Sequence, residues 1–256
     1  MKRILAVLMG CLIIMPGCSA NDEGDKTEIT ISAASSMSES LQEVISAFEQ
    51  ENPSIHIHLN SGGTGTLRRQ IEQGAPIDLF FSASERDYQK VRQKNLIKEG
   101  NQLLTNSLVL IKSEQASVRT INELLRSDGK LAIGTPESVP AGTYAKEVLM
   151  QLNKWDRLRD QLVFTKDVTQ VLTLVNKGTA DLGIVYNSDA DQVENVAAVR
   201  EFDAALHSPI KYYLAMLKDD NQKEGTINKA TDTFYQFAQS ETAEKIYKKY
   251  GFIIKD

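Results

Sequence analysis

Hydrophobic positions along the chain follow two periods, and their alternation lays out the elements. Ile29 and Ile31 sit in a short β-favouring run. Met37, Leu41, Val44, Ile45 and Phe48 then recur at helical spacing. Between the two lie Ala33, Ala34, Ser35 and Ser36, whose small side chains predict a turn rather than core. Ser36 followed by Glu39 has capping-box spacing, which predicts Ser36 as the N-cap of the helix. Ser54–Leu59 alternates apolar and polar residues, as a strand does. A Ser61-Gly62-Gly63-Thr64-Gly65-Thr66 turn follows, and a helix begins at Leu67 and is stopped by Gly74-Ala75-Pro76. Ile77–Ser82 reads as a compact buried strand, and Ser84 opens a helix through Tyr88 and Val91.

Ser107–Lys112 predicts a strand that starts a new context. A second series then repeats the first. Leu131–Gly134 is a strand, Thr135–Gly142 a turn, and Tyr144, Val148, Leu149 and Leu152 mark a helix. Val163–Thr165 is a strand, Asp167 with Gln170 repeats the capping-box spacing, and Val168–Val175 is helical. Asp181–Tyr186 is a buried strand, answering Asp78-Leu79-Phe80-Phe81 of the first series. The alternation predicts an α/β protein of two Rossmann-like lobes with one cleft between them. Lys211–Leu217 reads as a returning strand, and the last helices carry Ala230, Phe234, Phe237, Ala238, Ile246 and Tyr250. Their expected return to the first lobe gives two crossovers and a hinge. The expected boundaries are residues 28–105 with 208–256 for lobe I, and 106–207 for lobe II.

The amino terminus changes the picture of where such a protein works. Lys2 and Arg3 precede an apolar run, Ile4–Met15, too short to span a bilayer. The run ends in Met15-Pro16-Gly17-Cys18-Ser19, which resembles a bacterial lipobox. Residues 1–17 are expected to be a signal peptide, Cys18 the lipidated first residue, and 18–27 a polar tether. The other cysteine, Cys11, falls in the segment removed, so a disulfide framework and a cysteine metal site are excluded. The expected location is extracytoplasmic, anchored to the cell membrane by lipid. At 256 residues, 41% hydrophobic and 25% charged, the chain has an ordinary globular composition. Its formal charge of −5 becomes −7 when Lys2 and Arg3 are lost, which argues against a nucleic-acid partner. A local array of backbone dipoles can still hold an anion against that charge.

The candidate chemistry lies in the turns. Ser36 and Thr64 begin helices, Ala141 precedes a third, and Val168 would be the first residue of a fourth. The first turn of a helix exposes N–H groups with no helical acceptor, a ready site for an anion. Ser36 and Thr64 add hydroxyls, and Tyr186, at a strand end, a phenol. Several segments resemble the molybdate-binding protein family (ModA) of ABC importers. They are Ile31–Met37, Gly74–Phe80, Pro136–Glu147, Leu182–Ala190 and Tyr247–Phe252. The Val139-Pro140-Ala141-Gly142-Thr143-Tyr144-Ala145-Lys146-Glu147 run is the most specific, and the resemblance covers the chain from Ile29 on. It implies the type II periplasmic-binding-protein fold. It also implies that molybdate or tungstate is bound through Ser36, Thr64, Ala141, Val168 and Tyr186, as a ligand and with no cofactor. The partners it implies are a membrane permease and its ATPase; a monomer is expected. One departure is Thr64, which stands among Gly62, Gly63 and Gly65 where the family has a Ser-rich run. The N–H of Thr66 or Gly63 is expected to share the role.

Other readings compete. A sulfate or other tetrahedral oxyanion binder uses the same donors; a periplasmic hydrolase needs a general base that none of the five positions supplies. A ligand-free interaction protein would use only the two-lobed shape. Gly62–Thr66 lacks the Gly-Lys-Ser/Thr of a Walker A loop. Arg68 and Arg69 read as surface helix residues, and His207-Ser208-Pro209 as a crossover. His56 and His58 share a strand face without Cys or carboxylate partners in the nearby sequence, so a solvated face is expected. Trp155 reads as packing beside Leu152 and Leu158.

Overall fold

The computed structural model describes residues 26–190, 195–218 and 225–254. The expected signal peptide (1–17), Cys18 and nearly all of the tether lie outside the described residues. The first half runs β1 (Thr27–Ala34), a 3-10 turn (Ser35–Met37), α1 (Ser38–Glu51), β2 (Ile55–Gly62), α2 (Thr64–Glu72), β3 (Leu79–Ser82), α3 (Glu85–Gln93) and β4 (Ile97–Thr105). Then come β5 (Leu108–Ser113), α4 (Ile121–Leu124), β6 (Leu131–Gly134), α5 (Pro140–Gln151), a 3-10 turn (Asp156–Gln161) and β7 (Leu162–Thr165). They are followed by α6 (Val168–Asn176), β8 (Leu182–Tyr186), α7 (Asn187–Ala190) and β9 (Val196–Glu201). The chain closes with β10 (Lys211–Leu217), α8 (Gly225–Phe237), α9 (Glu241–Lys249) and β11 (Ile253–Ile254).

The strands form two mixed sheets. One has the order β11-β4-β10-β3-β1-β2, the other β7-β6-β8-β5-β9. In the first, β1 is parallel to β2 and β3, and β10 runs antiparallel beside β3. The second repeats this plan, with β6 parallel to β7 and β8, and β5 antiparallel beside β8. The chain passes from one sheet to the other at Asn106–Ser107 and back over Phe202–Ile210, and these segments are tied together. The Asn106 N–H donates to the Ile210 carbonyl (3.3 Å) and the Phe202 N–H to the Leu108 carbonyl (2.9 Å).

Helices flank each sheet and bury its apolar faces. β1 is an interior strand, paired with β2 and β3, and Ile29, Ile31 and Ala33 are completely buried. The small-residue stretch is thus partly core: Ala33 and Ala34 are 0% and 3% exposed, against the expectation of a turn. The reason is that β1 is paired on both sides and α8 packs across it, so a small side chain lets the helix approach. Three more strands, β4, β9 and β11, have no counterpart in the sequence reading. Trp155 packs at the margin of the core, with Leu152, over the buried Leu158.

Candidate functional site

In open α/β sheets, ligands lie beyond the carboxyl ends of the parallel strands. Both sheets direct those ends at one small cavity between the lobes. It is lined by Ala34, Ser35 and Ser36 after β1, Gly62, Gly63 and Thr64 after β2, and Ala83 after β3. From the second sheet come Val139, Pro140, Ala141, Val168 and Tyr186. All five residues expected from the sequence therefore meet at one place.

Each is positioned by a local device. Thr64 is the first residue of α2, with Gly63 as its N-cap, and is fully buried. Its Oγ1 accepts the Ala83 N–H at 3.3 Å, which leaves the hydroxyl proton to be donated elsewhere. In α5, Pro140 stands at the first position, where its missing N–H costs nothing and its fixed φ suits the helix. Ala141 follows, and its N–H has no acceptor within the helix. Gly142 is dictated by packing: a Cβ there would lie 1.9 Å from the Gly134 carbonyl oxygen, so no other residue lets α5 rest on the end of β6. Val168 opens α6 behind the capping box predicted from the sequence. Asp167 Oδ1 accepts the Gln170 N–H at 2.8 Å, and Gln170 Oε1 accepts the Lys166 N–H at 3.1 Å.

Ser36 departs from its expected role. The helix is preceded by the 3-10 turn Ser35–Met37, whose N-cap is Ala34, and no side chain caps it. α1 itself starts at Ser38 with Met37 as N-cap. The Ser36 hydroxyl instead meets the Tyr212 hydroxyl of β10 at 3.0 Å. The tight turn carries Ser36 too far round to reach the α1 N–H groups, and aims it at the interlobe space.

Tyr186 supplies the clearest unmet need. Its ring is 1% exposed, and its hydroxyl has no hydrogen-bond partner among the described residues. An unpaired buried hydroxyl is costly, by about 1–3 kcal/mol, and such groups in native proteins usually mark a missing partner. Burial pushes the Tyr186 pKa well above the ordinary phenol value, with the Tyr212 and Tyr144 phenols adding to it. The hydroxyl is therefore a donor at any physiological pH.

No charged side chain lines the cavity. Arg68 is held by Glu72 and Asp87, and Arg69 by Thr66 Oγ1. Of the two neighbours expected to assist Thr64, Gly63 lines the cavity, whereas the Thr66 N–H is spent on the Gly63 carbonyl at 2.9 Å. The cavity measures about 10 Å³, about the room of one water-sized sphere. A four-oxygen anion is larger, so the walls must stand slightly farther apart around it than they do here.

The lobes also touch directly. The Gly65 N–H donates to the Ser138 carbonyl at 3.0 Å. A Cβ on Gly65 would lie 2.9 Å from that oxygen, and one on Gly63 would lie 2.7 Å from the Lys166 carbonyl oxygen. The Gly-rich turn thus lets the α2 N-terminus approach the opposite backbone. Sequence reading took these glycines as a departure and did not see the contact across the cleft.

Away from the cleft, His56 and His58 stand on a half-exposed strand face, as expected, and each has a carboxylate partner that the nearby sequence did not show. Glu49 lies 3.0 Å from His56 and Glu28 lies 3.3 Å from His58. Glu28 comes from the paired strand β1 and Glu49 from α1, so the fold, not local sequence, brings them together. Among the described residues, no group of His, Cys, Asp and Glu has the makings of a cation site.

Comparison with known proteins agrees over nearly the whole chain. Residues 29–253 match the family of bacterial extracellular solute-binding proteins. YvgL of Bacillus subtilis, provisionally named as an ABC transporter substrate-binding lipoprotein, is 40% identical over 97% of this chain and 96% of its own length. The molybdate-binding protein ModA of Haemophilus influenzae is 34% identical with both chains covered in full. The solved structure of the Azotobacter vinelandii periplasmic molybdate-binding protein superposes with a TM-score of 0.77, covering 89% of this chain and 100% of that one at 21% identity. That likeness establishes the type II periplasmic-binding-protein fold.

Proposed function

The chain belongs to the bacterial extracellular solute-binding proteins, within the molybdate-binding protein (ModA) family, and on that premise we propose that its cleft captures molybdate. It is a binding protein, not an enzyme, and serves an ABC importer outside the cytoplasm. The ligand is held by Ser36, Thr64, Ala141, Val168 and Tyr186, and tungstate is accepted as well. The single observation that carries this reading is that those five residues line one cavity with no charged side chain on its wall.

The chemistry of the donor set supports a dianion without protons. Burying an unpaired dianion is prohibitive, tens of kcal/mol by Born estimates. Hydrogen bonds to a charged group offset this by roughly 1.5–3 kcal/mol each. The N-termini of α2, α5 and α6 add the positive ends of their dipoles. Hydrogen phosphate is disfavoured, because its hydroxyl needs an acceptor and the wall offers donors. Molybdate and sulfate share shape and charge, so only cavity size separates them.

In the proposed cycle, lobe I comprises residues 28–105 with 208–256, and lobe II 106–207. The change of sheet at Asn106–Ser107 and over Phe202–Ile210 supports these boundaries. The anion touches both lobes and so favours the closed state, which a permease and its ATPase then engage. Residues 1–17 are removed, and Cys18 carries the lipid that tethers a monomer to the membrane. The name of the B. subtilis relative supports the lipoprotein reading. Among the described residues, no helix is long and apolar enough to cross a membrane.

Calorimetric titration with molybdate, tungstate, sulfate and phosphate tests the function. Tight binding of molybdate and tungstate, with no heat from phosphate, is expected. Tight binding of sulfate with no heat from molybdate would overturn the choice of ligand. A hydrolase reading has no support at the cavity, where no side chain can act as a general base.

A further inference from the structure

Tyr212 and Asn106 are not among the residues that line the cavity, yet Tyr212 touches Ser36, which does, and Asn106 touches Tyr212. The Asn106 side chain has a fixed orientation. Its Oδ1 accepts the Ser107 N–H at 2.9 Å, so its Nδ2 faces the other way. That amide donates to Ser188 Oγ at 2.8 Å and to Tyr212 Oη at 3.4 Å. Tyr212 is completely buried, with its ring edge-on to Phe252 (centroids 5.2 Å apart) and to Tyr186 (5.7 Å). Its hydroxyl has one proton to give. Ser36 Oγ lies 3.0 Å away, where either hydroxyl can be the donor, and the Asn106 N–H on Tyr212 Oη favours Tyr212 as the one that donates. Ser36 Oγ is then already an acceptor on one side, and its own proton is left to point into the cavity.

Resting on the proposed anion site, we infer that Tyr212, oriented by Asn106, is a positioning residue that sets Ser36 as a hydrogen-bond donor toward the ligand. A serine hydroxyl alone can present either its proton or a lone pair. The chain Asn106 Nδ2–H to Tyr212 Oη–H to Ser36 Oγ–H removes that choice. It therefore contributes to specificity as well as affinity, because a lone pair from Ser36 is what a protonated oxyanion would need. Asn106 also stands at the crossover between the sheets and bonds Ser188, so the polarity of the site is tied to the element about which the lobes move.

The test is a double-mutant cycle on the full mature protein, with molybdate as the probe and phosphate as competitor. Tyr212→Phe keeps the ring packing and removes the hydroxyl. It is expected to weaken molybdate binding about tenfold, the loss of roughly one charge-assisted hydrogen bond, and to narrow the molybdate-over-phosphate ratio. In a Ser36→Ala background the same change is expected to alter affinity less than twofold, because its route to the ligand is gone. Equal effects in both backgrounds would overturn the inference, as would wild-type affinity and selectivity in Tyr212→Phe. A wild-type protein that binds no oxyanion would remove both the anion site and this inference. Additive losses in a protein that does bind molybdate would remove the inference alone.

Discussion

The Gly65 N–H donates to the Ser138 carbonyl across the cleft, 3.0 Å away, with no room for a side chain between them. This contact separates closure from folding. Gly65→Ala puts a Cβ 2.9 Å from the Ser138 oxygen, so the two backbones must move apart, while an alanine in the first turn of α2 favours the helix by up to about 1 kcal/mol. The expected outcome is a free protein that melts at the same temperature or higher, with molybdate affinity reduced tenfold or more. Differential scanning calorimetry and ligand titration on one sample check the two signs together.

Tyr186 makes a second prediction of opposite signs. Tyr186→Phe removes a buried hydroxyl that has no partner among the described residues. Stability without ligand should be unchanged or rise, because removing an unpaired polar group lifts a penalty of about 1–3 kcal/mol. Molybdate affinity should fall about tenfold or more. A fall in stability of the free protein would mean that the hydroxyl already has a use.

Thr64 is expected to behave differently, since its hydroxyl has a structural partner. Thr64→Val keeps the shape and strands the Ala83 N–H, at a cost of about 1–3 kcal/mol. Stability and affinity should fall together, and Thr64→Ser should restore both. Chemical denaturation with and without molybdate measures the pair.

Much of this arrangement was legible in the sequence, and the residues say why. The Asp167 cap was readable because capping is local: donor and acceptor are three residues apart. The same spacing at Ser36 and Glu39 misled, because a 3-10 turn intervenes and the hydroxyl finds Tyr212, 176 residues away. β4 escaped because Lys98-Glu99-Gly100-Asn101 breaks its apolar pattern, and its register shifts opposite Tyr212 and Tyr213. Tyr212 itself left no signal, since within Lys-Tyr-Tyr-Leu-Ala-Met-Leu it is one more apolar strand residue. The resemblance to a known family picked single residues out of each turn. Only the fold brings their positions to one cavity.

Asp189 predicts a pH dependence. It is 6% exposed, and its Oδ2 accepts the Tyr186 N–H at 3.2 Å. Burial raises its pKa well above the ordinary carboxylate value; the Tyr186 N–H opposes this, and the charge of Glu39 adds to it. The folded state then binds a proton that the unfolded state has released, so this group lowers stability as pH rises above the ordinary carboxylate pKa. Asp189→Asn keeps an acceptor for Tyr186 and cannot ionise. Relative to wild type, its melting temperature should rise as pH climbs above the ordinary carboxylate range. Parallel curves for the two proteins would contradict this.

The account turns on where the anion sits. Diffraction from crystals grown with molybdate, recorded at the molybdenum absorption edge, locates the metal directly. The expected result is one anomalous peak in the interlobe cavity, its oxygens within hydrogen-bond reach of Ser36, Thr64, Ala141, Val168 and Tyr186. A peak elsewhere, or none in the cavity at saturating molybdate, would contradict it.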